Sequence, residues 1–403
     1  MLIIAALLSY VDRFILGVLI EPIRRDLGIT DTQVSFIAGS AFAVFYGFMA
    51  LPLGRLADYK NRVRIIAIGI FCWSVMTAVC GLSRTYWQLL IARMGVGIAE
   101  ASLSSCAYSL ISDHFPPARL PLAISVYVAA VMLGSGVGLI AGGSVFELTM
   151  RAGSMEVPGL GLLQPWQTSL IVVGLPGVLV SVLVLSIREP LRRHRLTSVD
   201  RPLSLREVVS FVRARARFLT FHHAGFSIMV MYTYAVFIWS PTFIARTYGW
   251  SVAESGTGFG VVVLLTGVTG TYCGGLLGQM LGKRGIEDSI LRVSVYSLIL
   301  LIPVSIIAPL MPSPTVALSA LGLGIFLFSA AMAGAPVALQ LVTPNELRGQ
   351  LTALFSFSSV VIGLGGGPSA VAVLTDHVFD DLRPRSAIRC PSSVVARAQP
   401  APC

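Results

Sequence analysis

The sequence predicts an all-α polytopic membrane protein of two pseudo-symmetric six-helix halves, from which the twelfth helix is missing. The mean hydropathy is +0.82 and only 12% of the residues are charged, whereas a soluble domain carries about 25% charged residues. Eleven apolar segments have the length of about 20 residues that a membrane-crossing helix needs. Motifs in the first half of the chain also recur in the second half.

The apolar segments, called spans 1 to 11 here, follow one another with short connections. They cover residues 1–20, 33–53, 64–83, 87–112, 120–146, 165–187, 218–243, 255–281, 289–310, 315–342 and 351–375. The longest connection lies between spans 6 and 7. The predicted units are therefore an N-terminal half at 1–187, a basic linker at 188–217, a C-terminal half at 218–376 and an atypical polar tail at 377–403.

Two motifs support the repeat. Gly54-Arg-Leu-Ala-Asp58 after span 2 corresponds to Gly275-Leu-Leu-Gly-Gln279 in span 8. The glycines of span 5 recur in span 11, with Gly134 and Gly138 corresponding to Gly363 and Gly367. Two copies of a six-helix unit are typical of secondary transporters.

The repeat predicts a twelfth span near 394–416, but the sequence ends at residue 403. The tail is rich in Arg, Pro, Ala and Ser and has no apolar run of spanning length. We expect it to be a frameshift or truncation product. Another reading frame of the coding DNA should then continue into an apolar span after about residue 379.

Basic residues predict the orientation. Connections on the side of the 188–217 linker hold eighteen Lys and Arg residues, and the opposite connections hold five. By the positive-inside rule the linker side and the N-terminus are cytoplasmic. The net charge of +10 therefore reflects basic loops beside the membrane. The predicted partner is the lipid bilayer, and no nucleic-acid partner is predicted. Arginine outnumbers lysine 27 to 2, which favours a GC-rich bacterial genome and a bacterial inner membrane.

The linker holds a capping-box pattern, Ser204-Leu-Arg-Glu207, followed by apolar residues. This pattern predicts a short amphipathic helix on the inner leaflet. A solvated linker that only enforces the topology is the alternative.

Four charged residues lie inside apolar spans: Asp12 and Arg13 in span 1, and Arg93 and Glu100 in span 4. Arg93 and Glu100 are about two helical turns apart and share one face, which must point at a cavity or at other helices. Asp12 and Arg13 point in different directions and need partners on other helices. The four residues form either a proton-carrying cluster or a structural ion network between helices. Arg93 has a further possible role as the binder of an anionic substrate.

Aromatic residues are clustered within spans 2 and 7. They form either helix packing or the wall of a cavity that suits an amphiphilic substrate. The predicted substrate-contacting residues, besides Arg13 and Arg93, are Tyr46, Tyr127, Tyr234, Phe237 and Trp239.

The motifs resemble those of the major facilitator superfamily. Gly54-x-x-x-Asp58-x-x-x-Arg62-x-Arg64 resembles its signature loop, and Arg93-Met-Gly-Val-Gly97 its fourth-span motif. Ser9-Tyr-Val-Asp12-Arg13 and Arg93-Met-Gly-Val-Gly-Ile-Ala-Glu100 resemble the Spinster-like branch, which is associated with lysolipid and sphingolipid-type substrates.

The resemblance implies roles for these positions. Asp12 and Glu100 are implied as protonation sites, and Arg13 and Arg93 as modulators or headgroup contacts. Gly54, Asp58, Arg62 and Arg64 are implied as a gating loop that latches the two halves when the cavity opens outward. A plain basic loop is the alternative.

The expected function is secondary active transport by alternating access, coupled to protons, of an amphiphilic or lysolipid-like anion. The expected form is a monomer without cofactor or metal. No hydrolase, nucleotide-binding or metalloprotease motif favours an enzyme. The alternatives are a transporter of a drug, sugar or organic acid, and a truncated remnant that transports nothing.

Overall fold

The computed structural model describes residues 1–114, 120–159, 161–190, 205–286, 288–343, 351 and 354–377. Within these residues, eleven helices are long and apolar enough to cross a membrane, as the sequence predicts. These spans are Leu2–Leu27, Asp31–Gly54, Arg62–Cys80, Tyr86–Ile111, Leu133–Ala152, Pro165–Val184, Ala216–Tyr248, Val252–Lys283, Ser289–Leu310, Pro314–Leu339 and Leu354–His377. The predicted tail from residue 378 onward lies outside the described residues.

Several spans are composite or extend beyond the membrane-length segment. Span 2 consists of an α-helix at Asp31–Ser35, a π-helical turn at Phe36–Ser40 and an α-helix at Ala41–Tyr59. Span 11 contains a π-helical turn at Ser359–Gly365 and an α-helix at Gly366–His377. The helices of spans 4 and 5 run over Tyr86–His114 and Leu120–Ala152. Span 9 comprises Ser289–Ile307 and a 3₁₀ turn at Ala308–Leu310, and span 10 comprises Pro314–Met332 and Gly334–Val342.

Two of the described elements lie outside the spans. A helix at Leu205–Ala214, here called the linker helix, forms in the connection where the capping-box pattern predicts one. A two-stranded antiparallel hairpin, Met155–Val157 with Gly161–Leu163, joins spans 5 and 6. The sequence predicts no strand there, because a three-residue strand is too short to show an alternating pattern.

The turns between spans 1 and 2 and between spans 7 and 8 show the repeat in atomic detail. Gly28 and Gly249 end spans 1 and 7 with φ of 62° and 74°, a conformation that glycine adopts without steric cost. Thr30 and Ser251 then cap spans 2 and 8, each in a complete capping box. The two turns are 221 residues apart, the offset at which the Gly54 and Gly275 motifs match.

Glycines set the close packing within each half. A Cβ on Gly138 would lie 2.9 Å from the Cα of Val11, so span 5 packs tightly on span 1. In the C-terminal half, a Cβ on Gly367 would clash with the carbonyl oxygen of Met231 on span 7. Gly134 and Gly363 make the corresponding contacts with Tyr10 and Val230. All four predicted packing glycines therefore lie at close approaches between helices, the arrangement that small residues permit in membranes.

The two halves meet along spans 1 and 7, 2 and 11, and 5 and 8. A Cβ on Gly143 would lie 3.0 Å from the carbonyl oxygen of Ala253, and one on Gly17 would lie 3.1 Å from that of Ile238. The main core cluster includes residues of both halves, such as Phe14, Ile20 and Phe259. Span 1 therefore lies at the centre of the molecule, between its own half and the other.

Candidate functional site

Two ion pairs connect span 1 to span 4 inside the bundle. Arg13 Nη2 donates to Glu100 Oε1, and Arg93 Nη1 lies 3.4 Å from Asp12 Oδ2. All four residues are at most 4% exposed. Each span thus supplies one cation and one anion, so the pairs are crossed between the two helices and the cluster has no net charge.

Hydroxyl groups also donate to the two carboxylates. Thr77 Oγ1 of span 3 donates to Asp12 Oδ1 at 2.5 Å, and Ser9 Oγ of span 1 donates to Glu100 Oε1. Hydrogen bonds of this kind offset part of the cost of burying a charge. The sequence predicts that span 4 carries the partners of Asp12 and Arg13, and the structure places them there. Among the described residues, Arg93 and Glu100 form no ion pair with each other.

Aromatic rings surround the Arg13 guanidinium. Its central carbon lies 4.7 Å from the ring centroid of Tyr10, 4.8 Å from that of Phe42 and 5.5 Å from that of Tyr46. Ring faces attract a cation within about 6 Å. Arg13 Nη1 also lies 3.4 Å from the hydroxyl of Tyr234 on span 7, which belongs to the other half. Arg13 therefore contacts side chains of both halves.

A cavity of about 120 Å³ adjoins this pair. Its wall includes Ser9, Arg13, Tyr46, Glu100 and Tyr127. Asp12 and Arg93 do not line it. Glu100 Oε2 has no hydrogen-bond partner among the described residues, so the cavity presents a carboxylate oxygen and a guanidinium side by side.

The remaining predicted substrate residues have packing contacts. Phe237 packs edge-on against Phe14, with ring centroids 5.3 Å apart. Trp239 donates its indole N–H to the carbonyl of Pro368 at 3.0 Å. Neither residue lines the 120 Å³ cavity, so their predicted contact with a substrate stays a prediction.

A second charge network joins the halves at the end of the bundle where span 1 ends. Arg246 of span 7 donates to Asp31 Oδ2 at 2.6 Å and to Asp31 Oδ1 at 2.8 Å, and its Nε donates to Glu21 Oε2 at 2.9 Å. Asp31 is completely buried. Thr32 adds a bond across the halves, because its amide and hydroxyl both donate to Asp376 Oδ2 at 2.7 Å. We call this end the closed end.

The two π-helical turns meet each other next to the closed end. Ser40 Oγ, in the turn of span 2, donates to the carbonyl of Gly365 at 2.7 Å, in the turn of span 11. A Cβ on Gly39 would lie 2.6 Å from the carbonyl oxygen of Leu364. A π-helical turn leaves carbonyls outside the regular helical ladder and is frequent at functional sites. The sequence predicts neither the Arg246 network nor the meeting of these turns, since the contacts join residues more than 200 positions apart.

The sequence profile of the Major Facilitator Superfamily matches residues 2–368, which is most of the chain. The chain belongs to the major facilitator superfamily. It is therefore a membrane transporter and not an enzyme.

Relatives agree with this assignment. The chain is 28% identical over 399 residues to an MFS-type efflux pump of Mycolicibacterium smegmatis, an alignment covering 97% of this chain and 87% of the pump. It is 31% identical over 288 residues to protein spinster homolog 1 of Xenopus tropicalis, covering 66% of this chain and 51% of that protein. This superfamily member is thus Spinster-like, and its alignment spans about half the length of the animal Spinster relatives.

Solved structures agree as well. A bacterial homologue of the human lysosomal transporter Spinster, in an inward-facing and unoccupied conformation, superposes with a TM-score of 0.80 at 26% identity. The match covers 93% of this chain and 81% of that one. A D-xylose-proton symporter matches with a TM-score of 0.66 at 14% identity, which shows the fold alone.

The signature loop of this superfamily member lies at the other end of the bundle, where the linker begins. Arg62 is buried and donates to Glu189 Oε1 at 2.7 Å, to Ser109 Oγ at 2.7 Å and to Asp113 Oδ2 at 2.5 Å. All of these partners belong to the N-terminal half or the start of the linker. Gly54 is half-buried and Arg64 is exposed, whereas the side chain of Asp58 lies outside the described ones. The predicted latch between the halves stays a prediction.

Arg62→Gln should destabilise this transporter by about 3 kcal/mol, because two carboxylates lose a charged donor in a partly buried site. The free energy of unfolding in mixed micelles measures this loss. Arg64→Gln is the matched control, since Arg64 is exposed and should change stability by less than about 0.5 kcal/mol. Equal effects of the two variants would contradict the structural role of Arg62.

Proposed function

We propose that this chain is a proton-coupled secondary transporter that moves an amphiphilic, lysolipid-like anion by alternating access. The observation that carries the proposal is the Arg13–Glu100 pair in the wall of the inner cavity, with Arg13 also reaching Tyr234 of the other half. Buried ions inside membrane helices are costly and mark ion or substrate pathways.

The geometry suggests how protons and an anion are coupled. Glu100 holds Arg13 while the carboxylate is charged. When Glu100 accepts a proton, it loses the charge that attracts Arg13, and the guanidinium can turn to the anionic group of a substrate in the same cavity. Release of the proton restores the pair and expels the anion. Proton and anion thus occupy the site together, which is a coupling between two ligands of one site.

Asp12 is proposed as the second proton site. Its carboxylate accepts from Thr77 and faces Arg93 at a longer distance than Glu100 faces Arg13. Because Asp12 lies outside the cavity wall, it acts on the substrate through the position of span 1. Arg93 is therefore proposed to modulate Asp12, and its buried Nη2 has no hydrogen-bond partner among the described residues.

The substrate class follows from the wall and from the resemblance to Spinster-like transporters. Aromatic rings of Tyr10, Phe42 and Tyr46 border one cation, so the site suits an anionic head attached to an apolar body. The bonds across the halves at the closed end favour a conformation open on the linker side. With the N-terminus in the cytoplasm, as the basic residues predict, this conformation faces inward in a bacterial inner membrane.

A second candidate is transport of a different organic solute. It is favoured by the MFS-type efflux pump and by the probable L-galactonate transporter of Escherichia coli, which is 26% identical over 298 residues. Such a substrate would use the same Arg13 site without needing the aromatic rings.

Flux into proteoliposomes separates these possibilities. A pH gradient should drive accumulation of radiolabelled lysophosphatidylglycerol. A protonophore, which dissipates the gradient, should abolish this accumulation. Accumulation of L-galactonate without lysophosphatidylglycerol would favour the second candidate and contradict the proposed substrate. Folded, monodisperse protein that moves neither compound would support the non-transporting remnant.

A further inference from the structure

A second cavity, which shares no lining residue with the first, lies between the beginnings of spans 7 and 9. Its volume is about 680 Å³, within the range of about 300–1,000 Å³ typical of ligand sites. Its walls are apolar and include Phe218, Phe221, Phe226, Leu291 and Leu298. His222 closes its inner side, with Nε2 bonded to the carbonyl oxygen of Ala335 at 2.9 Å. We call this cavity the 7–9 groove.

The internal repeat shows what occupies the corresponding place in the N-terminal half. There span 6 lies on span 3, and a Cβ on Gly174 would be 2.9 Å from the carbonyl oxygen of Ser74. Accordingly, 56% of the residues in the membrane-length stretch of span 3 are buried. In its counterpart, span 9, the share is 22%. No described helix covers this face of span 9.

The rim of the groove is cationic. Arg215 and Arg217 both line it and are exposed. Neither forms an ion pair among the described residues, although Arg215 lies over the ring of Phe211 in the linker helix, 5.9 Å from its centroid. Guanidinium groups bind phosphate through paired hydrogen bonds. This rim lies on the side that the basic residues predict to face the anionic inner leaflet.

We propose that the 7–9 groove binds an anionic phospholipid of the cytoplasmic leaflet. The phosphate lies between Arg215 and Arg217, and one acyl chain lies along the apolar walls between spans 7 and 9. The charge of the rim selects an anionic over a zwitterionic lipid. The bound lipid covers apolar surface that a helix covers in the other half, so it stabilises the C-terminal half. This site is independent of the proton and substrate site at Arg13.

Native mass spectrometry of the full-length protein, titrated with phosphatidylglycerol or phosphatidylcholine in detergent, tests this proposal. We expect one retained phosphatidylglycerol per chain and a raised thermal unfolding temperature, with weaker retention of phosphatidylcholine. The double variant Arg215→Gln/Arg217→Gln should weaken phosphatidylglycerol binding about 30-fold, since each cation near an anionic lipid contributes about 1 kcal/mol.

Gly225→Trp tests the groove without touching its charges. Gly225 lines the groove, and a Cβ there would meet no atom within 4 Å, so the indole should fill the groove and displace the lipid. Gly275→Trp is the matched control, because Gly275 is also exposed and unobstructed but lies on span 8. Arg151→Gln is the control for charge, since Arg151 is exposed at the closed end.

Several outcomes would overturn the proposal. Equal binding of the two lipids, or unchanged binding by the arginine double variant or by Gly225→Trp, would exclude an anionic-lipid site in the groove. A dimer that Gly225→Trp converts to a monomer would show that a second copy occupies the groove instead. Glu100→Gln should keep full phosphatidylglycerol binding, so failure of the proposed transport function and failure of this lipid site are distinguishable.

Discussion

Glu100→Gln should abolish pH-driven transport while the protein remains folded. The amide has nearly the same shape as the carboxylate and can still accept a hydrogen bond from Ser9 or Arg13. It cannot exchange a proton in the physiological range. In proteoliposomes with an imposed pH gradient, we expect uptake of lysophosphatidylglycerol to fall at least about 10-fold, which corresponds to about 1.4 kcal/mol of lost coupling.

The same variant should still bind the substrate. Without the carboxylate charge, Arg13 is no longer neutralised, so equilibrium binding of lysophosphatidylglycerol should become independent of pH and should not weaken. Glu147→Gln is the matched control, since Glu147 pairs with Arg151 in an exposed position. Unchanged pH dependence of uptake in Glu100→Gln would show that another group carries the proton.

Arg246→Gln should destabilise the closed end by about 3–5 kcal/mol, the range measured when one partner of a buried ion pair is removed. Asp31 is fully buried, and after the substitution Arg24, at 3.6 Å, is its remaining described cation. The loss should appear in the free energy of unfolding in mixed micelles. Transport should also slow, because the closed end no longer holds the two halves together.

A double-mutant cycle with Asp31→Asn isolates this interaction. The double variant should be less destabilised than the sum of the two single variants, since removal of both charges leaves no buried ion unpaired. Arg25→Gln is the control: Arg25 also bonds Glu21, at 2.8 Å, but within one helix and with its side chain 75% exposed. Additive effects of Arg246→Gln and Asp31→Asn would contradict a direct interaction across the halves.

The membrane spans could be predicted from the sequence because long apolar runs have few other uses. Span ends were harder to predict. Span 5 is predicted at 120–146, yet its helix continues to Ala152, and span 7 is predicted at 218–243, yet its helix continues to Tyr248. Both extensions carry an arginine, Arg151 and Arg246, which lowers the hydropathy without ending the helix. The helix propensity of arginine is high.

The sequence predicts which residues form the charged site, but it does not predict which cation pairs with which anion. Burial cost indicates that Asp12, Arg13, Arg93 and Glu100 must interact. Which cation faces which anion depends on the relative rotation and height of spans 1 and 4, and those quantities follow from packing. The contacts of Gly138 with Val11 and of Gly97 with the backbone of Phe42 help to fix these positions.

The closed-end network was not predicted, although its residues have a visible signal. Glu21 and Asp31 flank the first turn, and Arg246 ends a span that repeats span 1. Helix ends that correspond in the repeat lie at the same end of the bundle. Opposite charges at the end of span 1 and at the end of span 7 therefore indicate a contact between the halves. The linkage of Arg62 to Glu189 joins sequence positions 127 apart, and no local pattern indicates such a contact.

Proton movement driven by the substrate tests the central claim most directly. Wild-type protein is reconstituted with a pH-sensitive dye inside the vesicles, without a pH gradient and with the membrane voltage clamped at zero by potassium and valinomycin. An inward gradient of lysophosphatidylglycerol should then change the internal pH, and Glu100→Gln should eliminate this change while Glu147→Gln preserves it. Lysophosphatidylglycerol uptake with no change in internal pH would contradict proton coupling at Glu100.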